Sequence, residues 1–420
     1  MLDREFVLPA DVVQLAAREL HPDLLEACEA GRDDVLLTRP GYRNPTVVIS
    51  GEVAALISEF RTPSLIEAAV VRYARARNQQ PLPVLEAAFP AVVRLIQSRI
   101  LAPLGTYAVR SAAPSLKRGA RVGSATVLRP LAIREDSEVY EVSHDRGARA
   151  TLKIAWRSRS AHACSLIENE AAVLLNSRLP QQAPLLDLVE TADAVAVILE
   201  WRSGVHASEA ALRLRRIYGP CSRPLVELAA NICGAFAALH SVGFVHGDVH
   251  PGNVLVESPA SVSLIDYGHS SAPGVWPRCG NLRGGVVPFL DPQAAAALLA
   301  CTSPEPANLR SEQFEVAALV DHLITGTYYV SFSLLYEPTL RLIADAPAQT
   351  FRDRGLPSLP GVEAALAVAL RKAPGERHDS LDDLKERLLA CIAPRRGKTA
   401  RERATIVGLG LPEAGGAVAG

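Results

Sequence analysis

The sequence predicts an α+β protein, and three observations predict it. Apolar strand-like runs such as ATLKIAW at Ala150–Trp156 lie ahead of residue 204, and helices such as SEQFEVAALVDHLITG at Ser311–Gly326, apolar nearly all round, follow it. A separate strand-then-helix pattern fills residues 1–102. The expected division is a docking domain at 1–102, a linker at 103–121, a strand-rich lobe at 122–203, a helical lobe at 204–394 and a tail at 395–420.

In the first region, DDVLLTRPGYRNPTVVIS suggests two short strands around a Pro-Gly…Asn-Pro turn. Three amphipathic helices follow: GEVAALISEF, then SLIEAAVVRYARA with Ser64 and Glu67 as a capping box, then PVLEAAFPAVVRLIQSRIL. LGTYAVRSAAPSLKRGARVGSA is rich in small and basic residues and reads as a linker, with mobility expected over Leu104–Lys117 and in the tail. The single cation of ATLKIAW, Lys153, is out of character with its apolar strand. In SLIENEAAVLL, helical spacing surrounds Glu170 with Leu166, Ile167, Val173 and Leu174, and a carboxylate in such a stripe needs a cationic partner. Glu168 has small neighbours at those offsets and reads as solvated.

HGDVHPGNVLV at His246–Val256 and LIDYG at Leu264–Gly268 carry the chemistry. Asn253 follows Asp248 by five residues, and Asp266 follows Asn253 by thirteen. Metal-assisted phosphoryl transfer needs one carboxylate to orient a hydroxyl and take its proton, with an amide and a second carboxylate as oxygen ligands for Mg2+. Asp248 suits the first role, and Asn253 with Asp266 the second.

These motifs resemble the catalytic loop and metal-binding segment of the eukaryotic-type protein kinase superfamily, in its bacterial Ser/Thr form. The resemblance implies a two-lobed protein-kinase-like fold that binds ATP between its lobes. It implies that Lys153, held by Glu170, meets the nucleotide phosphates, that Val139 and Leu255 enclose the adenine, and that backbone near Glu200–Trp201 contacts it. Glu312 stands where the family has an aspartate bracing the catalytic loop. Arg377 stands where its arginine pairs with a glutamate, here replaced by Gln293.

Departures are equally specific. Ala132, Arg134 and Ser137 occupy the positions of the family's phosphate-loop glycines, which implies a stiffer or more distant cradle, and Glu135, Asp136 and Glu138 would repel a triphosphate unless turned away. Gly247 replaces the arginine that pairs with a phosphorylated activation loop, and Ala272–Gln293 contains no Ser or Thr. Activation by phosphorylation there is therefore not expected. His250 makes the motif similar to that of aminoglycoside and choline kinases, so three readings stay open: a protein or peptide kinase, a small-molecule phosphotransferase, and a nucleotide-binding pseudokinase scaffold.

Residues 1–102 weakly resemble peptide-recognition domains of the PqqD type, against a generic winged-helix or helical docking domain. That likeness implies strand addition at Val35–Thr38 or Thr46–Ser50, with a ribosomal precursor peptide as the tethered Ser/Thr substrate.

With 44 basic and 45 acidic residues, net charge −1 and 5% aromatics, neither a positive field nor basic–aromatic interleaving points to nucleic acid or anionic membrane. The seven cysteines, at 28, 164, 221, 233, 279, 301 and 391, have no CxxC spacing, which argues for reduced, mostly buried thiols rather than zinc or disulfides. Neither a signal peptide nor a membrane-length apolar run is seen, so a cytoplasmic location is expected.

Overall fold

A computed structural model describes residues 4–20, 31–39, 47–98, 100–104, 114–134, 136–272, 283–332 and 336–392. The expected tail at 395–420 lies outside them. The chain divides into two compact units, the first holding Met1–Cys164, Val189–Ala196 and Ser333–Pro338, the second Ser165–Leu188, Val197–Phe332 and Thr339–Gly420.

The first unit opens with β1 (Phe6–Val7), β2 (Val13–Ala16), β3 (Val35–Thr38) and β4 (Val47–Ile49), followed by α1 (Gly51–Ile57), α2 (Ile66–Ala76) and α3 (Pro81–Gln97). Strand β5 (Ala102–Pro103) returns antiparallel to β1 and ties the two ends of this region together. The sheet order is β2-β3-β4, all antiparallel. Val35–Thr38 is therefore the central strand and not the edge expected of it, because VQLA at Val13–Ala16, too short for its alternation to stand out, takes its other side. Among the described residues Val47–Ile49 is an edge. The sheet and helices share one apolar core that includes Phe6, Leu37, Leu56, Ile57, Phe60 and Leu95.

The capping box at Ser64 and Glu67 does not form. Backbone pairing of Ser64 with Phe6, at 2.8 and 2.9 Å, holds it in extended geometry, so the helix starts at Ile66 while the Ser64 hydroxyl accepts from Arg72 at 2.9 Å. The capping serine is Ser50, whose Oγ accepts from the Val53 amide at the start of α1.

Strands β6 (Arg121–Val122), β7 (Ala125–Ile133), β8 (Ser137–His144), β9 (Arg149–Trp156), β10 (Leu185–Glu190) and β11 (Ala194–Glu200) form a sheet in the order β10-β11-β9-β8-β7-β6. The end of the expected linker is part of this structure. The amide and hydroxyl of Ser115 donate to Glu138 at 3.0 and 2.8 Å, and the Leu116 amide donates to the Tyr140 hydroxyl at 3.0 Å. Residues 105–113 of that linker lie outside the described residues.

Most of α4 (Ala161–Ser177) and of α9 (Tyr336–Asp345) belongs to the second unit, with α5 (Ala207–Tyr218), α6 (Arg223–Ser241), α7 (Pro292–Leu299), α8 (Leu309–Thr325), α10 (Pro360–Ala369) and α11 (Leu381–Ile392). A small antiparallel sheet joins β12 (Val205–His206), β13 (Val254–Ser258) and β14 (Ser261–Leu264). Helix α8 is buried along nearly its whole length, packs on α5, α6 and α10, starts at an Asn308–Ser311 capping box and ends at Gly326 with φ +82°. Among the described residues no helix is long and apolar enough to cross a membrane. Cys164, Cys221 and Cys233 are buried, while Cys301 and Cys391 are exposed.

Candidate active site

The loop between α6 and β13 carries Asp248, which is 1% exposed. Asn253 Nδ2 donates to the Asp248 backbone carbonyl at 2.9 Å and to Asp248 Oδ2 at 3.0 Å. With both amide hydrogens so engaged, the Asn253 amide oxygen is the atom left to meet a cation. Asp266 follows directly on the strand pair β13–β14, since the Ile265 amide donates to the Asn253 carbonyl at 3.0 Å. It adopts φ 66°, ψ 68°, a left-handed conformation that costs a residue with a Cβ about 1 kcal/mol. One turn of α4 grips the chain just beyond. Glu170 Oε1 accepts from the Tyr267 amide at 3.2 Å, and Asn169 Nδ2 donates to the carbonyls of Gly268 and Ser270 at 3.0 and 2.8 Å.

Glu312 braces the loop from below. Its Oε2 accepts from the Gly247 amide at 2.8 Å, and Oε1 lies 2.9 Å from His240 Nε2. Burial alone would raise this carboxyl, but the bond and charge of His240, the charge of His246 and the Gly247 amide outweigh it and hold it below the usual carboxylate range. His246 is fully buried, its Nε2 3.0 Å from the Ile265 carbonyl and its ring against Tyr267 and Phe236. His250 Nδ1 accepts from the Gly252 amide at 3.1 Å, which leaves Nε2 to carry the proton, 3.6 Å from Asp248 Oδ2. Further out, Arg377 donates to Gln293 Oε1 at 3.2 Å, a neutral acceptor where an ion pair would otherwise stand.

In the first unit, Lys153 on β9 is the cross-strand partner of Val139 on β8, which in turn faces Ala132 on β7, so the three share one face of the sheet. Glu138 points to the opposite face. It is fully buried there against Arg159 at 2.7 Å, and its charge is compensated away from Lys153. The turn that replaces a glycine-rich loop is tight, closed by the Arg134 amide to the Ser137 carbonyl at 2.9 Å. Asp136 is exposed on it, and Glu135 lies outside the described residues.

Of the predicted site residues, Lys153 and Val139 belong to the first unit, and Glu170, Glu200, Trp201, Asp248, Asn253, Leu255 and Asp266 to the second. Glu168 is partly exposed. The Glu200 amide already donates to the Pro184 carbonyl at 2.9 Å, which removes that N–H from the adenine contact expected there. Leu255 is half-buried on β13, between His206 and Ser263. Sequence reasoning missed Asn169, whose only signal is a polar residue beside Glu170 on the same helix.

Among the described residues no group of three or more His, Cys, Asp or Glu side chains could hold a metal. One amide and one carboxylate oxygen, from Asn253 and Asp266, nevertheless suit Mg2+, which keeps waters and takes its other ligands from phosphates rather than from an all-protein cage.

Residues 135–274 match the family model described as protein kinase domain. The chain is similar to Serine/threonine-protein kinase PknK of Mycobacterium tuberculosis, 29% identical over 210 residues, 49% of this chain and 18% of the relative. It is also similar to PksC of Streptomyces coelicolor, 26% identical over 172 residues (40% and 29%), and to pkn3 of Myxococcus xanthus, 25% identical over 240 residues (54% and 42%). The matched stretch spans less than half the length of each of these relatives.

Proposed function

We propose that this chain, which carries a eukaryotic-type Ser/Thr protein kinase domain of the bacterial kind over residues 135–274, is an ATP- and Mg2+-dependent phosphotransferase acting on Ser or Thr hydroxyls of a protein or peptide. The observation that carries the reading is the fixed carboxylate of Asp248, held by Asn253 within a loop that Glu312 braces. Asp248 orients the acceptor hydroxyl and takes its proton. Asn253 and Asp266 are the ligands for Mg2+, which when bound neutralises charge on the phosphates. Lys153 supplies a cation to those phosphates, and Glu170 orders the Tyr267–Gly268 turn beside Asp266.

Residues 1–102 recruit the substrate. An edge strand at Val47–Ile49 leads through Ser50 to a cavity of about 410 Å3 lined by Glu52, Val53, Leu56, Tyr73, Val84 and Ala87. An edge beside an apolar pocket suits an extended peptide that adds a strand and inserts a side chain, in the manner of PqqD-type domains, with a ribosomal precursor peptide as the occupant. A second reading, transfer to a small-molecule hydroxyl, is favoured by His250 alone, whose Nε2 faces Asp248.

The test is Mg-ATP turnover by the full chain with dephosphorylated casein as a generic Ser/Thr acceptor. Asp248→Asn should bind a fluorescent ATP analogue normally and lose about a hundredfold or more in phosphate transfer. Equal transfer by both proteins would mean that Asp248 is not the base. ATP binding by both proteins with no turnover by the wild type would mean a scaffold.

A further inference from the structure

Three ionisable side chains in the second unit have no part in the chemistry above and yet lie buried together. The Arg283 side chain, 6% exposed, donates through Nη2 to Asp291 Oδ2 and, at 2.6 Å, to Glu315 Oε1, and through Nη1 to the Glu305 carbonyl at 3.2 Å. Asp291 and Glu315 are 0% and 4% exposed. Burying three such groups is costly unless their geometry is needed, because packed apolar residues would fill the same space at no desolvation cost.

What the cluster holds is the backbone next to Asp248. The amide of Gly284, one residue beyond Arg283, donates to the Gly247 carbonyl at 3.0 Å. Gly284 also lies so close to Asp248 that a Cβ built on it would come within 2.9 Å of Asp248 Cβ, Cγ and Oδ1. Asp248 is thus wedged between the loop that bears it and the extended segment at 283–285. Both flanks are tied to one helix. On α8, Glu312 takes the Gly247 amide and Glu315, three residues on and therefore on the same face, takes the Arg283 guanidinium.

We propose that Arg283 and Glu315 are positioning residues for Asp248, an ion pair built into the fold that sets the Gly284 backbone against the carboxylate. The inference rests on Asp248 being the base. It gives the segment an internal anchor of the kind that a phosphorylated side chain and its arginine supply elsewhere, with the cation now on the segment and the anion on the body. Asp291 adds to the anchor while its other oxygen caps α7 at the Gln293 and Ala294 amides.

The experiment compares the full-length wild type, Arg283→Ala, Arg283→Lys, Glu315→Gln and Gly284→Ala in Mg-ATP-dependent phosphorylation of dephosphorylated casein, with Asp248→Asn alongside. A misplaced base should lower kcat about tenfold or more in Arg283→Ala and Gly284→Ala while KM for ATP stays within about twofold. Arg283→Lys should recover part of that loss because it restores the charge. Glu315→Gln, nearly isosteric and the variant least able to unfold the chain, should lower kcat by about threefold or more. Wild-type kcat in Glu315→Gln or in folded Arg283→Ala would overturn the proposal, as would equal loss of ATP binding and turnover in Arg283→Ala and Arg283→Lys. A wild type without Asp248-dependent transfer would overturn the underlying reading, and the proposal with it.

Discussion

At Gly247 the lack of a side chain is a requirement of the backbone. The residue sits at φ +73°, and a Cβ there would lie 2.4 Å from the His269 carbonyl oxygen. An arginine at this position therefore fails on two counts, conformation and space, before any question of pairing with a phosphate arises. Gly247→Ala should destabilise the chain by about 2 kcal/mol or more, adding the left-handed penalty to a backbone clash. A urea unfolding midpoint lowered at unchanged slope would show it. A midpoint equal to that of the wild type would mean that the loop relaxes freely around His269. Asp248, Asn253 and Asp266 were legible as letters because their relation is a spacing within one short stretch. Asn169 was not, since it bonds to the backbone carbonyls of Gly268 and Ser270, about a hundred residues away, and carbonyl acceptors leave no mark on residue type. Arg283 escaped notice for a related reason: its partners Asp291 and Glu315 lie 8 and 32 positions away in different elements.

Two helices organise the centre, each by an adjacent or same-face pair of polar residues. On α8 the pair is Glu312 and Glu315. On α4 it is Asn169 and Glu170, which together satisfy one amide and two carbonyls over Tyr267–Ser270. Reading periodicity identified Glu170 because an apolar stripe surrounds it, and the same stripe hid Asn169, whose buried amide looks like any helix-surface residue when only hydrophobic spacing is counted. Asn169→Ala leaves the Gly268 and Ser270 carbonyls short of a donor and should cost about 1–2 kcal/mol. The loss should also be local. Hydrogen exchange at residues 267–271 should accelerate in the variant while that of α11 stays unchanged, and turnover should fall because Asp266 rides on the loosened turn. Uniform acceleration throughout the second unit would show instead that the contact is generic packing. The Ser64–Glu67 motif teaches the converse lesson. Its letters form a capping box, but pairing with β1 claims the Ser64 backbone first, and tertiary context decides the helix start.

For the whole molecule, strand and helix runs were legible from period, whereas the two compact units depend on contacts distant in sequence, which period does not record. The described residues of 1–104 contain an apolar core tied by β1 and β5, yet they fall in the same compact unit as strands β6 to β9, the last of which carries Lys153. If the proposed recruitment holds, the cavity beside α3, in the same unit as Lys153, should select substrates rather than close readout at Asp248. Ala87→Arg tests this cleanly. Ala87 is exposed on α3 and lines the cavity, so arginine there fills the groove at little cost in helix propensity. Leu82→Arg, on the same helix but off the cavity lining and 64% exposed, is the matched control. With a library of Ser/Thr-containing peptides and Mg-ATP, the wild type and Leu82→Arg should phosphorylate one restricted set. Ala87→Arg should lose about tenfold or more on that set and keep its rate on casein, because only the tethered substrates benefit from raised local concentration. If Ala87→Arg instead phosphorylates the same peptides at the wild-type rate, selection lies at Asp248 itself, and the groove serves some other partner.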